Sequence, residues 1–262
     1  MMAQREPRIL LLHCRADRDS ASLMRYGYPS GLAYIAAFLR KHTDAQVKVF
    51  DDVCSLTDEL QCENAMRSED FDLVGFTVYQ KNLSVCLSLA SISKKIKPNA
   101  YIVFGGPQAT LDAKAILQDN EQIDMVVSGE GEFTMKQIAL ALAEGRELKD
   151  IPGTVMRHNG SIKRIPSGAQ VDLDALPFPS WEIVSSSLAA TGILDVQTSR
   201  GCPFSCRFCC NEAIYSGSGR KWRARSVENV LEEIRFAASH CEVRHVRFND
   251  ANFLVGMNFL TI

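Results

Sequence analysis

Short apolar runs and stretches of helical period alternate along the first half of the chain. Ile9-Leu10-Leu11-Leu12-His13 predicts a strand, being apolar and too short for a buried helix. From Pro29 to Lys41, Leu32, Ile35, Ala36 and Leu39 recur at helical spacing and mark one buried face. Val47 to Phe50 predicts a second strand, and Leu56 to Arg67 a weaker helix opened by Ser55. Leu73-Val74-Gly75-Phe76-Thr77-Val78 lacks polar alternation, as a strand covered on both faces would. Leu83 to Ile96 predicts a helix that stops before Pro98. The strand Tyr101 to Phe104, the helix Leu111 to Leu117, the strand Ile123 to Val127 and the helix Phe133 to Leu142 continue the pattern to Gly145.

Such an alternation predicts an α/β fold. Residues 1–146 are expected to form a doubly wound, Rossmann-like or flavodoxin-like parallel sheet. In such a sheet ligands bind beyond the carboxyl ends of the strands. Thr77 to Gln80, Gly105-Gly106-Pro107-Gln108-Ala109-Thr110 and Ser128-Gly129-Glu130-Gly131-Glu132 fall there. Their glycines would let the backbone approach a flat or phosphorylated ligand, although glycine after a strand is equally ordinary turn chemistry. No G-x-x-x-x-G-K-[ST] is present and no G-x-G-x-x-G follows a strand, which argues against a P-loop and a dinucleotide site.

Residues 147–190 read as a connector. His158-Asn159-Gly160 predicts a small β-hairpin. Pro177 and Pro179 bar regular structure around them, so this stretch reads as a linker packing its aromatics on both sides, with Asp172 and Asp174 solvated. From residue 191 the alternation resumes. Ile193 to Thr198 predicts a strand. Ser226 caps a helix running to about Ser239, with Val227, Val230, Leu231, Ile234 and Ala238 inward, and Val243 to Phe248 predicts a further strand. These are expected to be the first units of a partial TIM-type (β/α) barrel, a fold whose functional loops lie at the carboxyl ends of its strands. Arg220 to Arg225, which contains Trp222, reads either as a contact for a carboxylate or phosphate or as a solvated loop.

Charge and composition act by exclusion. Lys+Arg 29 and Asp+Glu 31 nearly cancel, and no basic patch points to nucleic acid. No apolar run nears the roughly 18 residues of a membrane span. Ile9 to Leu12 is too short for a signal peptide, and a cytoplasmic location is expected. The 9 cysteines then read as thiols or metal ligands rather than disulfides.

Three of them carry the strongest chemical signal. Cys202-Pro203-Phe204-Ser205-Cys206-Arg207-Phe208-Cys209 is C-x-x-x-C-x-x-C, on a loop that Gly201 and Pro203 favour. A single structural zinc wants four ligands. The two-cluster ferredoxin spacing is absent. Three thiolates on a cubane of four irons would leave one iron open to a substrate or cofactor. Buried small apolar residues or a zinc knuckle are the plainer alternatives. Cys210 diverges from its neighbour and stands outside the set.

This loop resembles the signature of radical S-adenosylmethionine (radical SAM) enzymes, C-x-x-x-C-x-aromatic-C, with Phe208 in the aromatic position. The resemblance implies that Cys202, Cys206 and Cys209 hold a [4Fe-4S] cluster whose fourth iron chelates S-adenosylmethionine. One electron, from a donor such as flavodoxin or ferredoxin, would release a 5′-deoxyadenosyl radical, and the cluster would be oxygen-sensitive. Phe248-Asn249-Asp250 resembles the family's phenylalanine-x-aspartate pattern and carries Asp250 to the S-adenosylmethionine site. Upstream, Tyr28-Pro29-Ser30-Gly31-Leu32-Ala33-Tyr34-Ile35-Ala36, then Gly-Gly-Pro-x-Ala-Thr, then Gly-Glu-Gly-Glu resemble the cobalamin-binding domain found ahead of many such enzymes. By that resemblance Gly105, Gly106, Thr110, Gly129, Glu130 and Gly131 would line the corrin and its nucleotide tail. Domains that ligate cobalt through histidine carry Asp-x-His-x-x-Gly after the first strand. Here the loop reads His13-Cys14-Arg15-Ala16-Asp17-Arg18, so no protein histidine is expected on cobalt.

Residues 191–262 have room for about two βα units of about 30 residues each. The family's partial barrel needs about six strands, so the chain is expected to be a fragment or a truncated product with an exposed apolar sheet edge. Two functions follow. One is a cobalamin-dependent radical SAM enzyme acting on a small molecule or peptide. Methyl transfer to an unactivated carbon is the commonest reaction the resemblance implies, with cyclisation or rearrangement open. The other is a truncated, non-catalytic cobalamin- and metal-binding module.

Overall fold

The computed structural model describes residues 5–14, 28–51, 59–168, 170–215 and 221–255. Five parallel strands form the frame: β1 (Arg8–His13), β2 (Gln46–Asp51), β3 (Leu73–Thr77), β4 (Tyr101–Gly105) and β5 (Met125–Val127). They lie in the order β2-β1-β3-β4-β5, the flavodoxin-like form of the doubly wound sheet. The helices α1 (Ser30–His42), α2 (Glu59–Ser68), α3 (Leu83–Ile96), α4 (Pro107–Asp119) and α5 (Glu132–Ala143) alternate with them. The hairpin expected at Asn159-Gly160 is β6 (Thr154–His158) and β7 (Ser161–Arg164), turning through positive φ at both residues. It is an edge of this same sheet, because β6 pairs antiparallel with β5 from Met125–Met156 to Val127–Thr154.

Strand alternation feeds two cores. Leu10, Leu12, Val74, Phe76, Ile102, Phe104 and Val126 belong to one cluster with residues of α3 and α4. Ile9, Leu11, Leu73, Val103, Met125 and Val127 belong to the other with residues of α1 and α5. Both faces are dry, which is why these strands read as continuous apolar runs. Helix α4 begins at Pro107, ahead of the expected Leu111. Proline in the first turn costs no helical bond, since that N–H has no intrahelical partner. Ser55 and the first residues of the helix expected there, 56–58, lie outside the described residues, and α2 covers its remainder from Glu59.

A second unit packs beside α1. It contains α6 (Trp181–Thr191), β8 (Ile193–Val196), β9 (Ser199–Gly201), α7 (Asn211–Tyr215), β10 (Trp222–Ala224), α8 (Val227–His240) and β11 (His245–Phe248). β8 and β11 pair in parallel, as successive strands of a (β/α) barrel do, while β9 and β10 form an antiparallel pair. Tyr28 and Ala33 join Ile183, Val184, Leu188, Leu194, Val196, Val230 and Ala237 in one buried cluster. Tyr34 and Phe38 hold Leu173 and Leu176 of the connector. Helix α1 is thus buried both toward the sheet and toward the second unit.

Three expectations for this half change. Helix α6 occupies ground read as connector and stops at Gly192, whose φ of 71° makes the left-handed cap. Asp174 is not merely solvated, because its carboxylate accepts the Ser226 N–H at 2.9 and 3.1 Å, at the start of α8. Helix α8 keeps Val230 and Ile234 on the inner side as expected, but it also buries Glu233 and Ala237, while Val227 and Leu231 are 37% and 40% exposed. The cause is an ion pair between Glu233 and Arg225, which draws the carboxylate inward. β11 has, among the described residues, a neighbour on one side only, and Phe248 and Leu254 near it are exposed. Among the described residues no helix is long and apolar enough to cross a membrane.

Candidate functional site

The carboxyl ends of the parallel strands gather the first set of predicted residues. Buried Asn82 donates Nδ2–H to the carbonyls of Cys14 at 2.7 Å and Thr77 at 3.1 Å, and accepts the Tyr79 N–H at 2.7 Å. It ties the ends of β1 and β3, where the winding of the sheet reverses and ligands bind. No pattern around Asn82 marks it in the sequence. His13 ends β1 with its ring edge-on to Tyr79. Thr110 joins the two glycine loops: its hydroxyl donates to Gly106 O at 2.9 Å and accepts the Gly129 N–H at 3.0 Å. Gly106 has φ 91°, and a Cβ there would lie 3.0 Å from Thr77 Oγ1 and from Val78 N and O. Gly105, Gly106, Thr110, Gly129 and Gly131 therefore share one end of the sheet. A Cβ on Gly129 would meet Ile214 O at 3.0 Å, so the segment just after the cysteine loop rests on this same end.

The cysteine loop leaves β9 and returns through β10. The Cys202 N–H donates to Lys221 O at 2.9 Å, closing its base. The Cys209 N–H donates to Cys206 O at 3.0 Å, making a turn inside it. Lys221 Nζ reaches Ser205 Oγ and Glu212 Oε1. Cys206 is exposed, Cys202 and Cys209 are half-buried, and Phe208 is 94% exposed. Among the described residues no three thiol, imidazole or carboxylate groups converge on one point for a single metal ion. A cubane gives each thiolate its own iron and needs no such convergence, so three thiols on one open loop suit its donor set. Asp250, just beyond β11, accepts from Ser199 Oγ at 2.6 Å, Thr198 Oγ1 at 3.0 Å and Thr198 N at 3.3 Å. Its carboxylate secures the β8–β9 corner that delivers the loop.

Between the two sets lies a buried ionic network. Arg200 donates to Glu130 at 3.0 Å, Glu132 at 2.7 Å and Gln197 at 3.1 Å, and lies over the Tyr34 ring. Arg223 donates to the same Glu130 oxygen at 2.5 Å and to Val171 O at 2.6 Å. Glu130, expected to line the corrin, thus turns its carboxylate to the second unit. The basic stretch before Ser226 does meet carboxylates, and they are the protein's own: Glu130 for Arg223, Glu233 for Arg225. Arg220 lies outside the described residues. Burial opposes the charge on Arg200, but Glu132 and Glu130 outweigh it and raise its pKa. Burial alone would raise the Glu132 carboxyl, yet Arg200 holds it below the usual range. At Glu233 burial prevails over Arg225 and the pKa rises.

The Glu132 shift has a readable consequence. A carboxyl depressed below its ordinary 4.5 adds stability above that value and loses it as pH falls through the folded pKa. Glu132→Gln is expected to flatten the acid limb of the urea-midpoint profile below about pH 4.5. An acid limb as steep as that of the unaltered protein would refute the assignment.

The description of a B12 binding domain matches residues 20–139, and that of the radical SAM superfamily matches residues 196–261. The chain belongs to the radical SAM proteins that carry a B12 binding domain. An uncharacterised methyltransferase from Pyrococcus horikoshii is 34% identical to this radical SAM protein over 231 residues, 87% of the chain and 49% of the relative. The anaerobic magnesium-protoporphyrin IX monomethyl ester cyclase of Rubrivivax gelatinosus is 25% identical over 246 residues, 90% of the chain and 43% of the relative. The cobalamin-dependent S-adenosylmethionine radical enzyme OxsB, solved with aqua-cobalamin and S-adenosylmethionine bound, matches at a TM-score of 0.78. That match covers 95% of this chain and 34% of OxsB at 21% identity, and it establishes the shared fold. The chain spans about half the length of these relatives or less.

Proposed function

We propose that this radical SAM protein is the cobalamin- and cluster-binding part of an enzyme that transfers a methyl group to an unactivated carbon of a small molecule or peptide. One observation carries the reading: the cysteine loop and the glycine loops of the B12 binding domain face each other across a shared buried network. Cys202, Cys206 and Cys209 would hold a [4Fe-4S] cluster, with Phe208 covering it. Gly105, Gly106, Thr110, Gly129 and Gly131 would admit the corrin, and Asp250 would keep the S-adenosylmethionine side of the loop in place through Thr198 and Ser199. When bound, the cluster with S-adenosylmethionine supplies a radical and cobalamin supplies a methyl group. Flavodoxin or ferredoxin would donate the electron in an oxygen-poor cytoplasm. Because one relative is named a cyclase, radical cyclisation stands as the second reading.

The test is anaerobic reconstitution of the chain with iron, sulfide and cobalamin. The expected result is a [4Fe-4S] signal that shifts on adding S-adenosylmethionine, 5′-deoxyadenosine formed under a strong reductant, and loss of bound iron in Cys206→Ser. Zinc in place of iron, or a cluster indifferent to S-adenosylmethionine, would instead mark a non-catalytic module.

A further inference from the structure

We infer that Glu130 is a positioning residue that clamps both ends of the cysteine loop to the glycine loops of the B12 binding domain. The loop departs after Arg200 and Gly201 and comes back at Lys221 and Trp222. Arg200 and Arg223 are direct cross-strand partners in the β9–β10 ladder. Two like charges facing each other across neighbouring strands repel. Here both donate to the same oxygen of Glu130, at 3.0 and 2.5 Å. Side-chain exposures of 6%, 11% and 12% for Arg200, Arg223 and Glu130 keep water from replacing that carboxylate.

Glu130 stands between Gly129 and Gly131. The Gly129 N–H is bonded to Thr110, and a Cβ on Gly131 would lie 2.8 Å from Ile35 Cδ1. The anchor point is therefore rigid on the B12 side. On the other side Arg200 lies two residues before Cys202 in the chain. Arg223 has little else: one guanidinium nitrogen donates to Val171 O, and its buried Nε–H has no partner. Glu132 pairs with Arg200 and not with Arg223 among the ion pairs of the described residues, so it fastens one strand. Among the hydrogen bonds of the described residues, Glu130 is the side chain that holds both strands. A shift of the cysteine loop relative to the corrin side would have to unpair charges in a dry site.

The test compares Glu130→Gln with Arg223→Gln, which releases only the returning end. Amide hydrogen exchange needs no cofactor. In Glu130→Gln, the amides of Gly201, Cys202 and residues 221–224 are expected to exchange about tenfold faster or more, with the β1–β5 amides unchanged. In Arg223→Gln the increase is expected at 221–224 first. The second readout rests on the proposed function: in protein loaded with cobalamin and cluster, the magnetic coupling between cob(II)alamin and the reduced cluster should broaden in Glu130→Gln. Loop exchange equal to that of the unaltered chain would overturn the clamp, and so would protection lost uniformly across the sheet. If the unaltered chain loads neither cofactor, the proposed function fails and hydrogen exchange alone decides the clamp.

Discussion

Arg200→Met is expected to destabilise the protein by about 3–5 kcal/mol, the loss seen when one partner of a buried ion pair is removed. Met fills much of the same volume, so a cavity is not the cause. The cause is Glu132, whose side chain is 4% exposed and would be left without its cation. Glu130 would keep Arg223, so the damage concentrates on Glu132. Against a total stability of about 5–15 kcal/mol this is a large fraction. A shift of the urea midpoint with unchanged slope measures it. Adding Glu132→Leu to Arg200→Met should recover part of the loss, because replacing a buried pair by apolar groups is often neutral. If Arg200→Met alone leaves the midpoint where it was, the site is wetter than its geometry implies.

Gly201→Ala is expected to open the base of the cysteine loop. Gly201 has φ 83°, a conformation that costs an L-residue about 1–3 kcal/mol when held there. Space is the harder limit: an added Cβ would lie 1.9 Å from the carbonyl oxygen of Lys221. That same carbonyl accepts the Cys202 N–H at 2.9 Å. Relief requires β9 and β10 to separate, which breaks the bond beside the first cysteine. Faster exchange of the Cys202 amide and less iron per chain after reconstitution are the expected readings. A variant with a native-like Cys202 amide and full iron content would show that the loop tolerates a different turn.

Much of the first domain was legible because its strands are dry on both faces. Leu73 to Thr77 is buried at every position, so the run shows no polar alternation and its one hydroxyl, Thr77, falls at the end. Helix α6 was less so. Ile183, Val184, Ser187 and Leu188 do follow helical spacing, and Gly192 caps them, but Pro177 and Pro179 dominate the stretch just before. Helix α8 shows the opposite case: its apolar spacing is plain and places Val230 and Ile234 on the inner face, but it also sets Val227 and Leu231 inward, where the structure exposes them. Leu231 is 40% exposed where Glu233 is buried, because Arg225 from the preceding strand end needs a carboxylate inside.

The sequence by itself determined the alternation of strands and helices in the first domain, the hairpin at Asn159-Gly160 and the three-cysteine loop, since each rests on neighbours along the chain: periodicity, turn chemistry and thiol spacing. Only the tertiary structure decided the partners of the charges. Glu130 meets Arg200 across 70 positions and Arg223 across 93, and Asp250 meets Thr198 across 52. A buried charge chooses its partner by distance and desolvation in the folded state, and neither quantity leaves a local trace in the residues beside it. That is why Glu130 reads as a loop residue in the sequence and stands in the structure between two arginines at the ends of the cysteine loop.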